Sequence, residues 1–324
     1  MIRWAVLIVA LALALACSVA FGETAFSAAQ YAAALRPGSP EAEVLWSLRL
    51  PRGVTAAVVG AALGLAGAAM QGLLRNPLAD PGVLGVSAFA GLGASLAIVF
   101  GLGGVLGAVE GAAMAGALIC AAVLAVVAAC LREPEALILF GVALSAFAGA
   151  ATSLVFNLSP SPITTTEVLA WLLGSVENRS WRDLAWFAGP TAAGAGLCLY
   201  AGRGLRALTL GEETAALSGL PMTRMRTAAV VGAALLAGAS VAIAGVIGFV
   251  GLAAPHMVRA FWSRDPERIL WPSALAGALL LVTADLLGRL TPTEQPLRLG
   301  VVTALIGAPI FAVIAWRAAR GWRG

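Results

Sequence analysis

Apolar residues run along this chain in long unbroken stretches, and polar residues are confined to the gaps between them. A helix that crosses a bilayer needs about 20 mostly apolar residues. Ten stretches meet or approach that length: 4–21, 54–74, 82–102, 107–130, 135–157, 182–201, 227–245, 248–262, 271–289 and 299–317. They are continuous, whereas a transmembrane β-barrel alternates apolar and polar positions in segments of about ten residues. The eighth is short. GVIGFVG at its start holds too much glycine for a helix interior, so the chain is split at Gly245–Gly248. Residues 166–178, TEVLAWLLGSVEN, read as a short helix lying at the outer surface, where Trp171 suits the membrane interface. The pattern predicts an all-α integral membrane protein of about ten transmembrane helices. Residues 1–324 form one polytopic domain.

The pattern also repeats. TAAVVGAAL occurs at Thr55–Leu63 and again, residue for residue, at Thr227–Leu235. The copies open the second and seventh spans, five spans apart, so they run in opposite directions. Inverted repeats of this kind build many transporters. Spans two to five and seven to ten are therefore expected to be pseudo-symmetric halves.

Composition sharpens the class. Charged residues make up 11% of the chain and the mean hydropathy is +0.95, against about 25% charged in a soluble domain. The 38 glycines suit helices that pack backbone to backbone in lipid. All 20 basic residues are arginine. Without a lysine the chain cannot be a conventional P-loop ATPase, whose Lys reaches the β- and γ-phosphates; it can still be driven by one. With the N-terminus inside, thirteen arginines fall on the cytoplasmic side and seven outside, which fits the positive-inside rule. The basic start before Trp4 also resembles a signal peptide, but ten spans place both termini in the cytoplasm and favour an uncleaved first span. The scattered Cys17, Cys120, Cys130 and Cys198 and the single His256 point to no metal site and no cofactor.

Candidate chemistry collects in the polar gaps. Residues 206–226, RALTLGEETAALSGLPMTRMR, are too polar for a bilayer. Thr209 and Glu212 have capping-box spacing, Glu212 and Glu213 suit the positive end of a helix dipole, Gly219 suits a helix stop and Pro221 the start of a second turn. A cytoplasmic helix of about two turns is expected there. At the outer side, Arg49 and Arg52 flank Pro51, Arg289 closes the ninth span and Arg298 opens the tenth. Positive charge is disfavoured outside, so these four are candidates to receive carboxylates of a soluble protein or an anionic substrate. Between spans two and three, Asn76-Pro77 and Asp80-Pro81 mark a tight inner loop after Gln71. Glu110, His256 and Asp285 lie in or beside spans, where ionisable groups are functional candidates; Asp285 has Arg289 at i,i+4.

Taken in order, LRLPR, GAALGLAGAAMQGLLRNPLADPGVLGVSAFAG, TLGEETAALSGLP, GVIGFVGLAAPHMVR and LGVVTALIGAP resemble the FecCD-type permeases, from about residue 45 to the C-terminus. These are membrane subunits of bacterial ABC importers for iron–siderophores, haem and vitamin B12. The resemblance implies ten spans and a second permease subunit, identical or related. It implies two cytoplasmic ATPase subunits and a periplasmic binding protein, in the bacterial inner membrane, with no enzymatic activity in this chain and no nucleic-acid partner. It implies that Leu210, Gly211, Glu212, Glu213, Ala216, Leu217 and Gly219 belong to coupling helices seated in the ATPase. By motif, Arg49, Arg52 and Arg289 match arginines that receive glutamates of the binding protein, and Gln71, Asn76 and Pro77 fall in the cytoplasmic gate region. Iron–siderophore ranks first as cargo by family frequency, haem second and cobalamin third. Two stretches depart from the vitamin B12 importers: Glu294–Gly300, where Arg298 is added, and REPE at 132–135, which lacks hydroxyl residues. Two rival readings remain: an ion-coupled secondary transporter, for which Asp285 is the one reasonable carboxylate, and an intramembrane enzyme, for which the chain offers no nucleophile–base cluster.

Overall fold

The computed structural model describes residues 2–22, 26–130, 134–159, 161–291 and 297–321. Helix α1 (Ile2–Ala20) is followed by two short helices, α2 (Ala28–Ala33) and α3 (Pro40–Glu43), and a π-helical turn that leads into α4 (Leu50–Leu73). A tight turn then leads to α5 (Val86–Val99), α6 (Ala108–Cys130), α7 (Pro134–Asn157) and the short α8 (Pro162–Leu172). Then follow α9 (Trp181–Leu208), α10 (Glu212–Ala216), α11 (Met222–Ala244), α12 (Val250–Phe261), α13 (Pro266–Leu290) and α14 (Leu299–Gly321), so that α4–α7 and α11–α14 are the two halves. Each of the ten expected spans is helical. Among the described residues seven helices are long and apolar enough to cross a membrane; α5 and the apolar part of α14 are shorter, and α12 has twelve residues.

α4 and α11 are buried along most of their length, α1, α7 and α9 along little of theirs. Glycines let α4 approach its neighbours backbone to backbone. A Cβ on Gly60 would lie 2.3 Å from the carbonyl oxygen of Gly277 on α13, and one on Gly277 would lie 2.1 Å from that of Gly60. On the same helix a Cβ at Gly64 would meet Ser273 O at 2.2 Å, and one at Gly67 would meet Gly251 O at 1.9 Å. Backbones that touch in this way gain van der Waals contact where lipid supplies no hydrophobic drive.

Packing obeys the repeat. The first helix of each half packs on the third helix of the other, α4 on α13 and α11 on α6. Within the halves α5 packs on α6 and α7 just as α12 packs on α13 and α14. The direction is also inverted. The first nonapeptide opens beside Arg52, at the end of the bundle that holds Asp285. The second opens beside Arg226, which shares Glu212 with Arg75 at the far end of α4.

Two local expectations change. The short surface helix spans 162–172 rather than 166–178, because Ser161 caps its start and Gly174, at φ 73°, turns the chain out of it. That turn is stitched by backbone bonds. Ser175 N–H donates to Ala244 O (2.8 Å), Leu299 N–H to Gly174 O and Gly300 N–H to Leu173 O (both 3.1 Å). The capping box at Thr209/Glu212 does not form. α9 continues past residue 201 to Leu208, so Thr209 becomes its C-cap and its hydroxyl donates to Arg206 O (2.7 Å). α10 is a single five-residue turn, opened by Gly211 at φ 96° and left through Gly219 at φ 73°, while Pro221 sits directly before α11.

Candidate functional site

The turn around α10 projects from one end of the bundle. Ala215 is buried against the body, whereas Glu213 and Ala216 are exposed. Leu210 and Leu217 stand 70% and 87% exposed. Two large apolar side chains are thus held out by a glycine-bounded turn, an exposure that makes the turn a candidate contact surface. Glu212 points the other way. Its carboxylate accepts from Arg226, at the start of α11, and lies 3.9 Å from Arg75, just after α4. Arg206 reaches Asp265 (3.1 Å) and Glu267 (3.2 Å) at the start of α13.

The loop after α4 lies at this same end. Gln71, 3% exposed, accepts from Arg259 of α12 and donates to Gly251 O (3.3 Å). Asn76 N–H donates to Gln71 O (3.2 Å), and the Asn76 side chain accepts from Leu78 N–H (2.9 Å), closing an Asx turn with Pro77 exposed at its tip. Arg75 enters this turn at φ 48°, in the left-handed region. Gln71, Asn76 and Pro77 are thus held together, tied to α12. Arg132 and Glu133 of the REPE loop, noted above as a departure from the vitamin B12 importers, lie outside the described residues.

At the opposite end the arginines converge on internal acceptors. Arg52 forms a fork with Asp285 (Nε–Oδ1 3.1 Å, Nη2–Oδ1 3.0 Å), and Arg289 reaches the other carboxylate oxygen at 3.1 Å. Arg289 also donates to Ser18 Oγ (2.7 Å) and to the carbonyls of Ser18 and Phe21. Arg49 is buried: it donates to the carbonyls of Val19 and Ala20 and lies 4.4 Å from the Phe26 ring centroid. The C-terminus of α1 is favourable for cations. Arg49, Arg52, Arg289 and Glu177 line a cleft of about 190 Å³. Arg298 lies apart, in a neighbouring 240 Å³ cleft with Glu167, Trp171, Glu177 and Arg179. Glu110 pairs with Arg179 at 3.1 Å, and His256 stays in α12 behind Pro255.

A cavity of about 420 Å³ lies between α5, α7, α8 and the α11–α12 break, lined by Asp80, Ser87, Ser145, Thr152 and Gly248 among small residues. Asp80 precedes α5 and accepts from Gly82 N–H (2.7 Å). Burial pushes its carboxyl up from 3.8 to about 6, against the pull of that hydrogen bond. Between those two pH values the folded chain holds a proton that the unfolded chain has released, so this group's contribution to stability is lost as pH rises through the window. Asp80→Asn keeps an acceptor for Gly82. It is expected to raise the melting temperature at pH 7.5 and to leave it unchanged at pH 3, below both values; an equal shift at both would contradict this.

Sequence alone placed the arginines at helix mouths and paired Asp285 with Arg289. It missed Arg52 as a second partner 233 residues away, Ser18 as an acceptor and the Arg226–Glu212–Arg75 cluster. The odd charge balance of 206–226, with Glu212 facing basic neighbours on both sides, was the available signal for the last.

The model of the FecCD transport family matches residues 8–317. The chain is 42% identical over 292 residues to the uncharacterized ABC transporter permease protein YvrB of Bacillus subtilis, covering 86% of this chain and 80% of that protein. It is 43% identical over 290 residues to the vitamin B12 import system permease protein BtuC of Vibrio cholerae, covering 84% and 82%. A solved metal-chelate type ABC transporter in an inward-facing conformation superposes with a TM-score of 0.85 at 29% identity, covering 96% of this chain and 97% of that one.

Proposed function

The chain belongs to the FecCD transport family, and from that premise we propose that it is the permease subunit of a binding-protein-dependent importer of a large metal chelate. The observation that carries the coupling is the exposed Leu210/Leu217 turn around α10. A separate ATPase grips this turn, ATP closes the ATPase dimer, and the permease switches access from one side of the membrane to the other. A second permease, identical or related, faces α7, whose Leu139 and Phe147 are 72% and 63% exposed. The path runs between the two. This organisation puts both termini and α10 in the cytoplasm of a cell with an inner membrane, and the Asp285 end outside. There a periplasmic binding protein delivers cargo, its carboxylates exchanging with the internal acceptors of Arg49, Arg52 and Arg289 or meeting Arg298.

The relative from Vibrio cholerae is named for vitamin B12 import, and the superposed transporter is of metal-chelate type. Cobalamin therefore moves ahead of haem and ferric siderophore in our reading. An ion-coupled mechanism gains nothing from Asp285, whose charge is already matched by two arginines.

The test is assembly and transport. Vesicles holding the chain and its ATPase are expected to take up cyanocobalamin, haemin or ferrichrome only with ATP and the loaded binding protein. Leu210→Asp with Leu217→Asp is expected to strip the ATPase from the purified complex and reduce uptake on the order of a hundredfold, since central apolar anchors carry most of an interface. Undiminished uptake in that double variant, or uptake by the chain alone under an ion gradient, would sink the proposal.

A further inference from the structure

We propose that Glu212 is a positioning residue: it transmits movement of α10 to the loop after α4 rather than contacting the ATPase. The inference rests on the coupling role proposed for α10. Glu212 opens α10 without capping it, because Gly211 takes the N-cap position and no side chain bonds there. Its carboxylate turns inward and bridges two helix ends. One arm goes to Arg226 near the start of α11, whose side chain is 13% exposed, directly before the second nonapeptide. The other goes to Arg75 at 3.9 Å. Arg75 directly precedes Asn76, whose backbone and side chain fix the loop, and Gln71 ties that loop to α12 through Arg259.

Among the described residues Glu212 makes the ion pairs of α10, while Glu213 makes none. The neighbouring exposed side chains, Leu210 and Leu217, are free to seat in a partner. A rigid pull on α10 therefore reaches α11 and the Asn76-Pro77 turn through one carboxylate. The Arg75 arm is long and half-exposed, and such a pair adds little to stability. Its effect belongs to the coupling between sites, which typically amounts to 5–150-fold.

The experiment uses the full-length chain with its ATPase, reconstituted with whichever of cyanocobalamin, haemin or ferrichrome the wild type transports. Chelate taken up per ATP hydrolysed is measured for Glu212→Gln, Arg75→Gln and the double variant. Each single variant is expected to keep the ATPase bound and to lower that ratio on the order of tenfold. The double variant is expected to be no worse than Glu212→Gln, which already removes the Arg75 arm. Arg75 is exposed, so its variant keeps the test open should Glu212→Gln fail to fold. Loss of the ATPase from the Glu212→Gln complex would make Glu212 a contact residue and overturn the inference. An unchanged ratio in the single variants, or defects that multiply in the double, would overturn it equally. A wild-type chain that binds no ATPase would instead remove the coupling role, and that result is seen before any variant is made.

Discussion

Asp285→Ala is expected to destabilise the folded chain by about 3–5 kcal/mol, the cost of leaving a buried ion pair with one side missing. Asp285 is 4% exposed, and its partners Arg52 and Arg289 have side chains 15% and 3% exposed. Removing the carboxylate strands two guanidiniums where water is scarce. Arg289 retains the Ser18 and Phe21 carbonyls, so Arg52 suffers most. Asp285→Asn keeps an acceptor and loses the charge, and a smaller loss follows. Arg52→Leu combined with Asp285→Leu should recover part of the stability lost in Asp285→Ala, since apolar pairs of similar volume often replace buried ion pairs without penalty. Thermal unfolding in detergent or nanodiscs, followed by tryptophan fluorescence, reads all three. A melting temperature for Asp285→Ala within a degree of wild type would show the triad to be dispensable.

Gly67→Val is expected to yield no folded protein, and Gly67→Ala a severely destabilised one. The Cβ of either would sit 1.9 Å from Gly251 O and 2.5 Å from Gly251 C. Those are backbone atoms of α12 and cannot swing aside as a side chain would. Overpacking by added methylenes costs about 1–3 kcal/mol where neighbours can yield; here α4 and α12 must separate as units. Gly196 supplies the contrast. A Cβ there meets nothing within 4 Å, and it lies inside α9. Gly196→Ala is therefore expected to stabilise by roughly 0.5–1 kcal/mol, through helix propensity and a less flexible unfolded chain. The same substitution thus acts with opposite sign at two positions of similar sequence context. Fluorescence-detected size exclusion and melting temperature separate them. Equal yields would mean that α4 and α12 do not approach as closely as described.

The architecture was legible because it is written in local patterns. Long apolar runs mark the helices, the shared nonapeptide marks the halves, and Gly245 marks the break before α12. Its φ of 71° shows why glycine stands there. Helix ends were less legible. Hydropathy stops at Arg203, but arginine is a good helix former, so α9 continues through Arg206 to Leu208 and takes Thr209 as its cap. The expected capping box failed for that reason, while the exposed turn behind it remained. Partners were least legible of all. Position along the chain puts Arg52 at a helix mouth, yet nothing local ties it to Asp285. Closure of the bundle does that, by laying α13 against α4 along Gly60, Gly64 and Gly277.

The anchoring of α1 has a consequence for how the chain is made. Ser18 and Arg289 are 271 residues apart. At a synthesis rate of roughly 5–20 residues per second, α1 waits on the order of half a minute for the arginine that will hold its end. During that time it can rely on neither α13 nor the Trp4–Trp262 contact. Its nearly uninterrupted apolar sequence is what keeps it in lipid until they arrive. Polar substitutions on α1 would therefore harm biogenesis more than they harm the finished bundle, where most of the helix is exposed. α1 is made long before α13 and is held in place only after it.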